Sequence, residues 1–347
     1  MNSSARFATI KAVEFALPKK ILTNEMLCAD FPAWSVEKIE EKTGIKVRHI
    51  AADHETVSDL GVLAAEKLFA NHPCSPDKID FVLFCTQTPD YILPSTACLV
   101  QHRLGIPTTS GALDFNLGCS GFVYGLGLAK GLIETGQAEN VLLITAETYS
   151  KLIHPEDKSV RTLFGDAAAA TWIGSTDDRS VIAPMIGPFV YGSDGSGGEN
   201  LMVPHGGMRH PVTQDSCILE TDDDDNKRTK KNLYMNGAEI FAFTLKSVPK
   251  ALRSLLERAG LSMEEIDLFV FHQANQFMLE HLRKKIKINT EKFHISFTEY
   301  GNTVSSTIPI GLWTAQQEGK LRHGSRVALV GFGVGYSWAA TMIRWPS

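Results

Sequence analysis

The chain has 347 residues, 44% of them hydrophobic and 21% charged, with a formal net charge of −5. That composition is globular rather than disordered. It is long enough for two ordinary domains or one large duplicated one, and too acidic for a nucleic-acid surface. The N-terminal MNSSARFATIKAVEFALPKK has neither the apolar run nor the small-residue cleavage site of a secretory signal. No stretch approaches the roughly 18 apolar residues of a membrane span, so a cytoplasmic location is expected.

In chain order, the first informative element is an amphipathic helix with Leu60, Ala64 and Leu68 at helical spacing. The turn SPDKID leads into an unbroken apolar strand that ends at Cys85. GALDF, from Gly111, reads as a second strand, NLG as a turn, and the run from Ser120 as a helix. Cys119 therefore occupies a strand-to-helix turn, where the positive end of the helix dipole favours thiolate. A buried core cysteine is the alternative at this point. The helix holds Gly121, Gly125, Gly127 and Gly131. They carry a local penalty of about 4 kcal/mol, at about 1 kcal/mol each relative to alanine. Its apolar character on nearly every side predicts burial between layers, with the glycines allowing close backbone approach. ENVLLITAE, from Glu139, is the next buried strand, and VRTLFGDAAAA follows with Arg161.

From about Asn200 to Asn232 the pattern breaks into GGMRHP and TDDDDNKRTKK, which predicts a solvated excursion. A carrier-protein contact at Lys227, Arg228, Lys230 and Lys231 is the lesser alternative. A second amphipathic helix then carries Val248, Leu252 and Leu255, and SMEEIDLFVF leads to His272. Gln273 and Asn275 add polar groups at that strand end, and Asn302 lies in YGNTVSSTIPIG. The final strand SRVALVGFG runs into the glycine-rich GFGVGYSW, which has no βαβ unit after it and so is no dinucleotide fingerprint. A glycine arch offering backbone N–H groups to an anion fits it better.

The chain repeats itself. SPDKIDFVLFCTQ at Ser75 matches SMEEIDLFVFHQA at Ser262, 187 residues on, and ENVLLITAE matches SRVALVGFG 186 residues on. Two matches at nearly one offset indicate duplication. Apolar strands separated by helices indicate a mostly parallel sheet covered on both faces. The expected halves are 1–180, carrying the cysteine, and 181–347, carrying the histidine and asparagine. Asn302 then corresponds to Asn116, and Cys119, His272 and Asn302 gather at carboxyl strand ends, where open parallel sheets bind ligands. The six cysteines, Cys28, Cys74, Cys85, Cys98, Cys119 and Cys217, suit neither a zinc site nor a disulfide framework.

With these residues assembled, the chain resembles the thiolase superfamily, and within it β-ketoacyl-acyl-carrier-protein synthase III. The likeness rests on KTGIKVRHIA at 42–51, GCSGF at 118–122, FGDAAAA at 164–170, HQAN at 272–275, GNTVSSTIP at 301–309 and GFGVGYSW at 331–338. It implies a duplicated thiolase-like α/β fold layered α/β/α/β/α. The implied chemistry is a decarboxylative Claisen condensation. Cys119 holds an acyl group as thioester, and a malonyl-carrier thioester loses CO2 and attacks it. His272 and Asn302 hydrogen-bond the malonyl thioester carbonyl, and the backbone N–H groups of Cys119 and Val334 form a second oxyanion hole. Lys42, Thr43, Arg161, Leu93, Gly237, Asn275 and Phe277 fall at substrate-binding positions. Leu93 implies a homodimer in which one subunit reaches into the other's acyl pocket. Acyl-CoA or an acyl carrier protein is the implied donor and malonyl-acyl carrier protein the extender, with no metal or redox cofactor and no nucleic-acid or membrane partner.

Three positions depart from the family: Lys38 replaces a tryptophan that stacks on adenine, Phe277 an arginine at the pocket mouth, and Val334 a glycine. An acyltransferase that passes the acyl group to an oxygen or nitrogen acceptor, and a non-catalytic partner subunit, stand as alternative readings.

Overall fold

The computed structural model describes residues 6–176 and 185–346. Ten principal strands make two five-stranded sheets. The first contains β1 (Ala8–Ala16), β2 (Phe81–Cys85), β3 (Gly111–Phe115), β4 (Asn140–Glu147) and β5 (Ala167–Ser175). The second contains β6 (Ile186–Ser193), β7 (Leu268–Phe271), β8 (Phe293–His294), β9 (Arg326–Gly333) and β10 (Ser337–Arg344). The spatial order is β1-β5-β4-β2-β3 in one sheet and β6-β10-β9-β7-β8 in the other. Parallel and antiparallel pairings coincide as well. β2 is parallel to β3 and β4, and β7 to β8 and β9, while β5 and β10 run antiparallel to both neighbours. Four strands of five therefore point one way in each sheet. The expected duplication is present strand for strand, and the boundary expected at 180/181 lies outside the described residues.

Six helices complete the layers: α1 (Val57–Asn71), α2 (Thr96–Arg103), α3 (Gly121–Glu134), α4 (Gly237–Ala259), α5 (Gln276–Ile286) and α6 (Thr307–Gln317). Each of the long outer helices begins on a side chain suited to it. Asp59 accepts the Thr56 N–H ahead of α1 at 2.8 Å, and Asn236 caps α4 by accepting from Glu239 N–H. Leu60, Ala64 and Leu68 of α1, and Val248, Leu252 and Leu255 of α4, are buried against opposite outer faces. α3 packs on strands of both sheets, and α6 joins it in the middle layer. The order is α1/α2, sheet, α3/α6, sheet, α4/α5, with one apolar core between the sheets and one beneath each outer pair. This matches the expected α/β/α/β/α arrangement.

The 200–232 segment is the expected excursion, exposed over most of 206–225, and part of its charge pairs with the body of the chain. Arg228 Nε reaches the buried Asp157 at 2.6 Å and Nη2 reaches Asp222 at 2.7 Å, and Lys227 Nζ reaches Glu156 at 2.6 Å. Glu220–Thr221 and Lys227–Arg228 form a small hairpin about a turn in which Asp222 accepts from Asn226. Within that solvated run, the ion pair of Arg228 with buried Asp157 anchors the hairpin to the body of the chain. Lys227 and Arg228 are thus paired within the chain. Lys230 lies 3.6 Å from Glu220, and Lys231 is exposed.

Candidate active site

Cys119 ends the turn after β3, and Ser120 stands at the N-terminus of α3 behind it. The thiol is 5% exposed because the end of β9 crosses directly over it. A Cβ placed on Gly333 would stand 2.9 Å from the sulfur, and one on Gly331 would stand 2.8 Å from the Cys119 carbonyl oxygen. Any larger residue would push the arch off the nucleophile. The hydroxyls of Ser120 and Ser337, 2.7 Å apart, tie the same crossing. Along α3, Gly121 faces the Cys85 sulfur, Gly125 the Leu143 side chain and Gly127 the Tyr191 ring, so close packing accounts for these three. Gly131 meets open space and does not share that reason.

Burial pushes the Cys119 thiol up to about 12, and the Glu147 carboxyl adds to the rise. The backbone N–H groups of Cys119 and Val334 face the sulfur and pull the other way. Burial therefore opposes the pull toward thiolate expected from the helix start.

His272 follows β7 directly, and its backbone N–H donates to Val330 O at 2.8 Å. The ring meets Phe332 edge-on, with centroids 5.4 Å apart. Burial lowers its pKa to about 3, opposed by the backbone of Val304, so the imidazole is neutral. Asn302 is set by its backbone, which donates to Leu163 O at 2.9 Å and accepts from Gly165 N at 3.0 Å. Its Oδ1 accepts the Val304 N–H at 3.0 Å. Because that N–H can only donate, the carboxamide oxygen faces Val304 and the NH2 end is turned the other way. Val304 holds φ +55, an uncommon conformation for a β-branched residue, and is fully buried. A Cβ on Gly118 would meet Val334 Cγ1 at 2.8 Å and Val304 Cγ1 at 3.2 Å. The cysteine turn, the asparagine loop and the glycine arch therefore converge at one place, with the imidazole beside Val304.

Glu147, at the end of β4, is a member of this cluster that sequence reasoning passed over. It is fully buried, and its carboxylate accepts Gln87 N–H at 3.0 Å, Thr88 Oγ1 at 3.3 Å and Ser305 Oγ at 2.9 Å. Gln87 in turn donates to Asn116 Oδ1 at 3.0 Å and accepts from the Tyr149 hydroxyl. A charged residue closing an apolar strand was the available signal, the same one that marked His272. Burial raises the Glu147 carboxyl from 4.5 to about 8, against its three hydrogen bonds. Between those values the native chain keeps a proton that the unfolded chain releases, so stability falls as pH rises through the interval. His272 (from 6.5 to about 3) and Asp166 (from 3.8 to about 6) act at lower pH, which leaves pH 6.5 to 8 to Glu147 among these three. Glu147→Gln mimics the protonated carboxyl. Its unfolding free energy relative to the parent, from urea titrations, is expected to increase from pH 6.5 to pH 8. A flat difference would show that the native carboxyl is already ionised.

The expected substrate positions divide. Lys42 and Lys38 each place their ammonium 5.1 Å from the centre of the Trp34 ring, on the exposed helix Val36–Thr43. Arg161 bonds Asp30 at 2.8 Å and lies 5.6 Å from the Phe31 ring. Trp34 and Phe31 thus form an aromatic and cationic rim that was not foreseen. Phe277 is exposed and packs on Phe241 and His281. Gly237 is the exposed first residue of α4 with open space over it, and Asn275 caps α5 by accepting Met278 N–H at 2.9 Å. Thr43 is the correction. Its buried hydroxyl donates to Ile39 O at 2.7 Å and accepts from Ile45 N at 3.1 Å, so it closes a helix rather than facing a substrate. Leu93 projects from the 91–93 loop and is 79% exposed. Among the described residues, no helix is long and apolar enough to cross a membrane.

A doubled five-layer sandwich whose middle helix presents a cysteine to the partner half is the thiolase-like class of fold. Comparison with known proteins narrows it. The family described as 3-oxoacyl-[acyl-carrier-protein] synthase III matches residues 113–195, and its C-terminal counterpart matches 256–345. A β-ketoacyl-[acyl-carrier-protein] synthase III of Caldanaerobacter subterraneus subsp. tengcongensis is 38% identical, with 95% of each chain covered. A solved 3-oxoacyl-(acyl-carrier-protein) synthase III is 54% identical at TM-score 0.96, covering 98% of this chain and 100% of that one. A 3-oxoacyl-(acyl-carrier protein) synthase from Burkholderia xenovorans LB400 is 37% identical at TM-score 0.88, covering 99% and 95%. The chain belongs to the β-ketoacyl-acyl-carrier-protein synthase III family of condensing enzymes.

Proposed function

We propose that the protein joins an acyl group held on Cys119 to a malonyl-carrier thioester, with loss of CO2, and releases a β-ketoacyl product. In the first half-reaction the Cys119 sulfur displaces the donor's thiol, which departs with the cysteine's proton. In the second, the carbon–carboxylate bond of the malonyl group breaks and its electron pair moves into the thioester as an enolate. The negative oxygen lies toward His272 and Asn302. The enolate carbon then attacks the acyl thioester, whose carbonyl oxygen is held by the N–H groups of Cys119 and Val334. Collapse breaks the carbon–sulfur bond, and the departing thiolate takes up a proton from solvent. No cofactor takes part.

The supporting observation is the neutral, buried imidazole beside an oriented carboxamide. Such a pair offers hydrogen bonds to a developing oxyanion, which stabilises the transition state more than the ground state. A ring so resistant to protonation is a poor general base, which disfavours transfer to an oxygen or nitrogen acceptor. The rim of Trp34, Lys38, Lys42, Phe31 and Arg161 suits the base and phosphates of a coenzyme A donor. The test offers acyl-CoAs and acyl-carrier donors in a panel, detects the adduct by intact mass, then adds malonyl-carrier protein and follows CO2. Acylation at Cys119 followed by CO2 release supports condensation. Acylation without CO2 release would transfer the assignment to a non-decarboxylating acyltransferase, and adducts from carrier donors alone would remove coenzyme A.

A homodimer belongs to the same proposal. β3 is an edge strand of the first sheet, and Tyr91, Ile92, Leu93 and Leu113 are exposed beside it. A strand edge and apolar side chains in one place suit a second copy of the chain. Leu93→Asp is expected to shift the protein toward monomer in sedimentation velocity. A monomeric parent would remove the proposal.

A further inference from the structure

His272 Nδ1 lies 2.8 Å from Thr307 Oγ1, and the same hydroxyl lies 3.0 Å from the Val304 carbonyl oxygen. Both side chains are buried. The hydroxyl has one proton and the neutral imidazole has one N–H, so their positions are coupled. In one arrangement the hydroxyl donates to Nδ1, and the ring carries its proton on Nε2. In the other the hydroxyl donates to Val304, Nδ1–H points at Thr307 or at the Val304 carbonyl, and Nε2 is a bare lone pair. The Val304 carbonyl already accepts the backbone N–H of Thr307, so it keeps one hydrogen bond when the hydroxyl turns to the ring.

We infer that Thr307 is a positioning residue that donates its hydroxyl proton to His272 Nδ1 and so holds the ring as the Nε2–H tautomer. Only that tautomer can give a hydrogen bond to an oxyanion while remaining neutral. The inference rests on the condensing reading above, since an Nε2–H donor is what the enolate requires. Thr307 acts through the ring and needs no contact with substrate. It also explains why a hydroxyl residue opens α6 with its side chain turned into the site rather than capping the helix.

The test combines spectroscopy with the two half-reactions. Long-range proton–nitrogen correlation spectra of the histidine-labelled protein, with His272 assigned by its loss in His272→Gln, are expected to show the Nε2–H pattern. Thr307→Val keeps the shape and removes the donor. It should convert His272 to the Nδ1–H pattern and slow decarboxylation about 10- to 100-fold, the range for losing a group that orients an imidazole. Acylation of Cys119 should stay near the parent rate, and Thr307→Ser should restore both the spectrum and decarboxylation. An Nδ1–H ring in the parent, or an unchanged Nε2–H ring in Thr307→Val, would overturn the assignment. Equal loss of both half-reactions that Thr307→Ser does not restore would also overturn it, showing a purely structural residue. A parent that releases no CO2 would defeat the condensing reading instead, and the spectra would still decide the tautomer.

Discussion

Cys119→Ala is expected to abolish the covalent adduct with every acyl donor and to lower condensation by at least about a thousandfold, leaving only what binding and oxyanion contacts supply. The change removes one buried sulfur and keeps a Cβ beneath Gly333, so the crossing of the arch over α3 should survive. Intact mass after incubation with acyl donor reads the adduct directly. Because His272 and Asn302 are set by Val304, Thr307 and Leu163 rather than by the sulfur, the variant should still decarboxylate malonyl-carrier thioester. An adduct persisting in Cys119→Ala would place the nucleophile elsewhere. Cys85, which meets Gly121 on the other side of the turn, would be the first residue to examine.

His272→Ala and Asn302→Ala are expected to do the reverse. In the proposed mechanism each removes one donor to the enolate oxygen, and losing a single such donor costs about 10²–10³ in rate, or about 2.7–4 kcal/mol. Acylation should change by less than about tenfold, because in that mechanism the step draws on the N–H groups of Cys119 and Val334 instead. Stopped-flow acylation and CO2 release, measured separately on each variant, test the split. If both steps fell together, the imidazole or the carboxamide would be acting on the cysteine and the division of roles would fail.

Much of this site was legible in the chain. Residues that end apolar runs stood out, so Cys119 and His272 were found from placement, and the repeat carried Asn302 to the same side. Family motifs added Val334 and the roles. Glu147 ends an apolar run too, but a glutamate at a strand terminus normally reads as solvated. Only the fold shows Ser305 arriving from the other half to cover it. Thr307 was one hydroxyl in the run VSSTIP, and nothing local marks which of them meets an imidazole 35 residues back. The burial of the thiol was hidden for a related reason. A dipole can be read from a helix start, whereas the dryness set by Gly331 and Gly333 closing over it comes from residues more than 200 positions away. Trp34 was missed because the expected tryptophan position holds Lys38, and the ring that meets this lysine comes from four residues earlier.

The near-identity of the two sheets has a further consequence at the centre. Cys119 and Ser305 are 186 residues apart, as are Glu147 and Gly333. The approach of Gly333 to the Cys119 sulfur and the hydrogen bond from Ser305 to Glu147 therefore occupy equivalent places in the two halves. One crossing has an emptied position that makes room for a reactive atom. Its twin is filled by a carboxyl that braces the loop bearing Asn302. Each half thus supplies the lid for the other's turn, and neither half by itself contains a finished reaction chamber.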